Sequence, residues 1–144
     1  MAFTLTAEER EQFLAGVHIG IVAVERKERA PLAVPVWYDY TPHGEVLIWT
    51  TRDTVKDKAI RKAGRFSLAV QSEGHPPKYV TAEGPVTGVD ESPTRAQVLS
   101  ITRRYLSSAE AEAFVEQEHG SHSVLIRMRP SKWLGADQGE RNPG

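Results

Sequence analysis

Six strand-like segments, most of them joined by hairpins, and helices inserted singly instead of alternating with strands predict a mainly β fold. The expected architecture is a small six-stranded antiparallel barrel, closed or partly open, with short peripheral helices. A chain of 144 residues suits one domain with a single core. A regular strand–helix alternation, which would indicate a doubly wound sheet, is missing from the pattern.

The elements follow in order along the chain. Thr6-Ala7-Glu8-Glu9 is a capping box, so a short helix starts there and stops near Gly16. Val17–Glu25 is the first strand, followed by the charged turn Arg26–Ala30. Leu32–Tyr40 alternates with Leu32, Val34, Val36, Tyr38 and Tyr40 on one face and Ala33, Pro35, Trp37 and Asp39 on the other. Pro35 removes a ladder donor and marks an edge, bulge or break, which leaves neighbouring backbone groups free for a ligand. Thr41–Gly44 is a turn, and Glu45–Thr51 completes a hairpin. A helix over 55–63 ends at Gly64, a favoured residue just past a helix C-terminus. Arg65–Gln71 and Tyr79–Val89 are strands around the loop Ser72–Lys78, with a bulge expected at Gly84-Pro85. Ser92 and Pro93 read as N-cap and first residue of a helix to about Leu106. Ser107-Ser108-Ala109-Glu110 starts another helix, ending near His119-Gly120. Ser123–Met128 is the last strand, closed by Pro130. The domain is expected to span 1–134, with 135–144 as a flexible tail.

Composition narrows the function. The net charge is −1, with no broad basic excess, which argues against nucleic acid as a partner. Zero cysteines exclude disulfides, thiolate metal sites and cysteine nucleophiles. No apolar run reaches the ~20 residues that span a bilayer, and no signal segment opens the chain. A cytoplasmic protein without membrane contact is the expectation.

Positive charge is instead local. The stretch Trp49-Thr50-Thr51-Arg52-Asp53-Thr54-Val55-Lys56-Asp57-Lys58 runs from a strand through hydroxyl residues into a short basic helix. Strand-end threonines, a helix N-terminus and nearby cations suit a phosphate group. Winding residues 55–63 at ~100° per residue gathers Val55, Ala59, Ile60 and Ala63 into an apolar arc. Asp57, Lys58, Arg61 and Lys62 fall on the outer face. Lys56 falls inside the apolar arc near the helix N-terminus, where a cation is disfavoured unless an anion is present. It is therefore the residue that separates a phosphate site from an ordinary charged surface helix.

Other constellations carry less. His119 and His122 are three apart, but Gly120 breaks the helix that would align them, and no acidic third ligand stands at a recognisable spacing; no metal site is expected. Trp37, on the face with Ala33 and Pro35, has small neighbours that leave room for a planar ligand. Tyr38 and Tyr40 belong with the core-facing set. Trp133 fits either core or interface.

The succession Gly20–Val24, Pro31–Tyr38, Glu45–Thr51, Lys56, Arg65–Val70 and Tyr79–Val86 resembles the pyridoxamine 5′-phosphate oxidase-like split-barrel superfamily over nearly the whole domain. Within it the chain looks nearest to short actinobacterial proteins described as coenzyme F420-dependent oxidoreductases. The resemblance implies a six-stranded antiparallel split β-barrel (an FMN-binding split barrel) that forms a homodimer with cofactor sites at the interface. It implies phosphate contacts from Thr50, Thr51, Lys56 and Lys58. Ring contacts are implied from Pro35, Val36, Trp37 and Trp49, with second-subunit contributions from the strand at Tyr79 and the segment near Trp133. The implied activity is hydride transfer between a bound deazaflavin, coenzyme F420, and a small conjugated organic substrate. FMN is the alternative cofactor, and a non-enzymatic flavin, haem or tetrapyrrole carrier the alternative class. The deazaflavin's oligoglutamate tail would call for a basic groove, for which Arg61, Lys62 and Arg65 are the sequence candidates. No side chain stands out as a catalytic acid, so solvent or a nearby tyrosine is left as proton source. The chain is much shorter than pyridoxamine phosphate oxidase itself, and vitamin B6 oxidation is not implied.

Overall fold

A single thirteen-residue strand, β6 (Lys78–Asp90), organises the fold because it belongs to both halves of a barrel. The computed structural model describes residues 3–137. In chain order these form β1 (Phe3–Thr4), α1 (Ala7–Ala15), β2 (Gly20–Val24), β3 (Leu32–Val36), β4 (Val46–Thr51), α2 (Val55–Ala63) and β5 (Arg65–Gln71). After β6 come α3 (Arg95–Thr102), α4 (Ser108–Glu118), β7 (Ser123–Met128) and β8 (Lys132–Asp137).

The first half of β6 pairs with β5, which pairs with β2, which pairs with β3, all antiparallel. Its second half pairs with β7, which pairs with β4. Between β3 and β4 the circle closes through one bridge, Asp39 to Leu47, with N–H···O distances of 3.0 and 2.9 Å in the two directions. Six strands thus make an antiparallel barrel whose seam is nearly open, the split barrel expected from the sequence. The strands alternate as a barrel wall must, sending Val22, Val24, Val36, Val46, Ile48, Leu68, Val80, Ile126 and Met128 into one buried core. Leu14 of α1 and Ile60 of α2 join that core.

Several local expectations are met. Thr6 caps α1 with the reciprocal Glu9 bond and Ser107 caps α4. Gly64 ends α2 at φ 70°, a backbone state that favours glycine.

Others need correction. The strand expected from Val17 begins at Gly20, and the strand expected to reach Tyr40 ends at Val36, with Tyr38 turned inward to bond the Leu14 carbonyl at 2.6 Å. The N-cap of α3 is Thr94, not Ser92, because Thr94 and Gln97 form a reciprocal capping box. The β6 irregularity falls between Val86 and Gly88, not at Gly84-Pro85. Gly84 answers a different demand: a Cβ there would sit 1.9 Å from the Arg129 carbonyl oxygen. On α2, Val55 is 64% exposed and Asp57 is fully buried, the reverse of the helical-arc assignment. Asp57 goes inward because its carboxylate accepts the Asp53 N–H at 2.9 Å and pairs with Arg61 at 2.8 Å. Two strands were not anticipated: β8 adds to the β6 edge opposite β5, and the two-residue β1 adds to β8. Gly135 and Ala136, assigned to the tail, pair with Val80 and Tyr79; residues 138–144 of that tail lie outside the described residues.

Candidate functional site

Strand β3 ends the β1-β8-β6-β5-β2-β3 path, which suits Pro35 since an edge strand tolerates a residue without an N–H. Beyond this edge the two helices α3 and α4 pack on each other through Val98, Leu99, Ala111 and Val115 and lean on Trp49 of β4. A cleft of about 390 Å³ is left between them, lined by Ile19, Pro35, Val36, Trp37, Trp49, Lys56, Ile101 and Phe114. Five of the ten residues assigned to a site from the sequence meet here: Pro35, Val36, Trp37, Trp49 and Lys56.

Lys56 brings the charge. It lies in the first turn of α2, is partly buried, and has no ion pair or side-chain hydrogen bond among the described residues. Burial pulls its ammonium below the ordinary lysine range. The neighbouring cations are committed elsewhere. Arg52 pairs with Glu91 at 3.0 Å and bonds the Ser121 carbonyl at 2.9 Å. Arg61 pairs with Asp57 at 2.8 Å and Glu91 at 2.6 Å, and Arg65 pairs with Glu25. These contacts fasten the start of α2 to the end of β6 and hold Lys56 at the cleft. The N–H groups of Val55 and Lys56 are left by helix geometry without intrahelical acceptors.

The opposite wall is aromatic. Trp37 stacks on Tyr105 with centroids 5.0 Å apart and planes 6° from parallel, so one of its faces is already covered. Tyr105 donates to the His18 carbonyl at 2.7 Å and accepts the Tyr38 N–H at 3.1 Å. Arg104 beside it bonds the carbonyls of Tyr38 (3.0 Å) and Gly16 (2.9 Å) and pairs with Asp39 at 3.3 Å. Trp49 is held by its Nε1, which donates to Ser123 Oγ at 3.0 Å. An unpaired ammonium facing a planar aromatic wall is a donor set that fits the phosphate and ring of a flavin-type molecule.

The remaining assigned residues are dispersed in the single chain. Thr50 and Thr51 end β4, and the Thr51 carbonyl accepts the Thr54 hydroxyl at 2.9 Å. Lys58 faces a separate groove with Arg26, Lys27, Arg29 and Lys62. Tyr79 shares a surface hollow with Ile19 and Ile21. Trp133 packs edge-on to Tyr40 at 6.1 Å with Arg10 over its ring.

Sequence reasoning missed Ile19, Ile101 and Phe114, which line the cleft from other segments of the chain, and Tyr105, on which Trp37 stacks. Among the described residues no cluster of three or more His, Asp or Glu is suited to a metal, and no helix is long and apolar enough to cross a membrane.

No protein-family model matches the chain, and no curated protein matches it. Solved structures do. An F420 reductase superposes with a TM-score of 0.72 at 21% identity, covering 85% of this chain and 94% of that one. A FAD-binding protein from Mesorhizobium loti gives 0.67 at 21% identity, covering 95% and 98%. A FAD- and heme-binding protein from Mycobacterium smegmatis gives 0.69 at 13% identity, covering 99% and 76%. The chain therefore shares the fold of these proteins.

Proposed function

We propose that this protein is an oxidoreductase that holds a deazaflavin, coenzyme F420, in the cleft between β3, β4 and α2 and reduces a small conjugated organic substrate. The observation that carries the reading is Lys56: an unpaired ammonium, partly buried on a helix N-terminus, opposite an aromatic wall. A cation in that setting is destabilising by itself and becomes favourable when a phosphate arrives. Lys56 and the N–H groups of Val55 and Lys56 hold the phosphate, while Pro35, Val36 and Trp37 border the ring and exclude water from one side. When bound, the deazaflavin supplies two-electron hydride chemistry.

The protein's own part in proton supply follows from its hydrogen bonds. Tyr38 donates to the Leu14 carbonyl and Tyr105 to the His18 carbonyl. Neither hydroxyl has a proton to spare for a substrate, so the proton comes from solvent through the open side of the cleft.

A second observation favours the deazaflavin over FMN. Arg26, Lys27 and Arg29 of the β2–β3 turn face Lys58 and Lys62 of α2 across a groove of about 300 Å³. Of the three cations first assigned to a tail groove, Lys62 lines it, whereas Arg61 and Arg65 are neutralised by carboxylates. Such a groove suits the oligoglutamate extension that FMN lacks.

We also assign a homodimer. Pro35, Ile21, Ala69, Thr81 and Leu134 are register partners across five adjacent strands and form one outward row. Ile21 is 39% exposed and Leu134 63%. A largely apolar row of this kind on the outside of a sheet suits a partner subunit, which would bring its own Tyr79, on the same face as Thr81, toward the cleft; Trp133 alternates with Leu134 and packs on the core side instead.

Parallel titrations of the purified protein with coenzyme F420 and FMN, followed by tryptophan fluorescence and by the bound cofactor's absorbance, test the reading. Tighter binding of the deazaflavin, followed by its turnover with an enone or quinone, is the expected result. Failure of both cofactors to bind at micromolar concentration would sink it.

A further inference from the structure

We propose that Phe114 is the specificity-determining residue of this cleft, setting the upper size of the planar anion it admits; the inference rests on the reading that such an anion lies opposite Lys56. The aromatic wall is a chain of five rings in the order Tyr105, Trp37, Phe114, Trp49 and His119. Four of them are tethered. Tyr105 is bonded through its hydroxyl to the backbone of His18 and Tyr38, and Trp37 lies flat on it. Trp49 is bonded to Ser123, and His119 Nε2 lies 2.9 Å from the Pro93 carbonyl oxygen.

Phe114 has no polar atom to tether it. It wedges between the two tryptophans, 5.5 Å from Trp37 at 46° and 5.9 Å from Trp49 at 88°. At 37% exposure it is the most exposed ring of the five, and it is carried by α4. Its helix is anchored by other residues, since Ala111 and Val115 are the buried positions of α4 and pack on Val98 and Leu99. The size limit of the cleft is thus set by a side chain whose removal leaves its own scaffold in place. Alanine is also the better helix former at that position.

The test uses two aryl sulfonates as probes, each a planar ring system with one anion: naphthalene sulfonate and the larger pyrene sulfonate. Calorimetric titration of the wild type should favour the naphthalene compound. Phe114→Ala should improve pyrene sulfonate relative to naphthalene sulfonate by ~10-fold or more, the scale on which pocket shape discriminates. Phe114→Trp should weaken the larger probe more than the smaller, and Lys56→Ala should weaken both alike. An unchanged ratio in Phe114→Ala, with the wild-type circular dichroism and melting temperature retained, overturns the proposal; so does a wild type that binds neither probe. Titrating FMN and coenzyme F420 alongside separates the two readings. If the sulfonates obey the size rule and neither cofactor binds, the size limit stands and the proposed function falls. If the cofactors bind and the ratio does not move, the reverse holds.

Discussion

Replacing Lys56 with methionine should make the protein more stable and a worse binder at once. The ammonium is partly buried in an apolar cleft, carries no ion pair among the described residues, and sits at the positive end of α2. Burial depresses its pKa in the folded state, so between that value and the unfolded lysine value the unfolded chain holds more protons and stability rises with pH. Below that window both states are charged, and the folded state bears the cost of desolvating the ion. Methionine keeps the length of the side chain and removes that cost. A gain of ~0.5–1 kcal/mol is the scale of such substitutions at functional sites, which for a chain of this length is a rise in Tm of ~1–4 °C. The same change removes a charge-assisted hydrogen bond worth ~1.5–3 kcal/mol, so FMN or deazaflavin affinity should fall by ~10- to 150-fold. Thermal melts by circular dichroism and fluorescence titration measure the two halves. Lys62→Ala is the control, exposed and without an ion pair, and should shift stability by less than ~0.5 kcal/mol. A Lys56→Met protein that melts earlier than wild type would mean the ammonium is satisfied within the chain, and the reasoning would be refuted. Unchanged affinity would remove the phosphate from this helix.

Other consequences are open to measurement. FMN affinity should fall as pH rises through the lowered Lys56 pKa, sooner than an ordinary lysine allows; in Lys56→Arg that fall should vanish, and identical pH profiles for the two proteins would exclude Lys56 as the titrating group. Asp57→Asn weakens the pairing to Arg61 and the acceptor for Asp53 N–H, and should cost ~1–3 kcal/mol in urea unfolding; a change under ~0.5 kcal/mol would show that the buried carboxylate is dispensable. Leu134→Glu inserts a charge into the outward apolar row and should turn a dimer into a monomer in light scattering, whereas a wild type that is already monomeric would dispose of the assigned interface.

What could be read from the sequence and what could not divides along the range of the forces involved. The end of α2 was legible because Gly64 acts within a residue or two of itself. The inward placement of Lys56 was indicated both by helical periodicity and by the family resemblance. Periodicity misassigned Asp57 for a local electrostatic reason: an acceptor for the Asp53 N–H and a partner for Arg61 outweighed the outward position that the arc gave it. The antiparallel barrel was legible from six strand-like segments joined mostly by hairpins, but β8 was not, since Pro130 ahead of it and Gly135 within it read as loop. The helical side of the cleft was invisible for a different reason. Tyr105 reaches Tyr38 across 67 residues of chain, and no local pattern ties Phe114 to Trp37.

The charge arrangement at the start of α2 sets what kind of ligand the site can hold. Asp57 consumes the Asp53 N–H, the Thr54 hydroxyl accepts the Asp57 N–H, and Glu91 takes up both Arg52 and Arg61. A helix N-terminus flanked by several cations is thereby reduced to one lysine and two backbone N–H groups. Each salt bridge stiffens the turn while subtracting from the positive potential available to an anion. A site built this way has little excess charge for a diphosphate and suits a single phosphate fixed in position. Most of its affinity must then come from the planar part of the ligand against the aromatic wall. That is why the side chain at Phe114 on α4, and not a further cation, should govern which planar anions the cleft accepts.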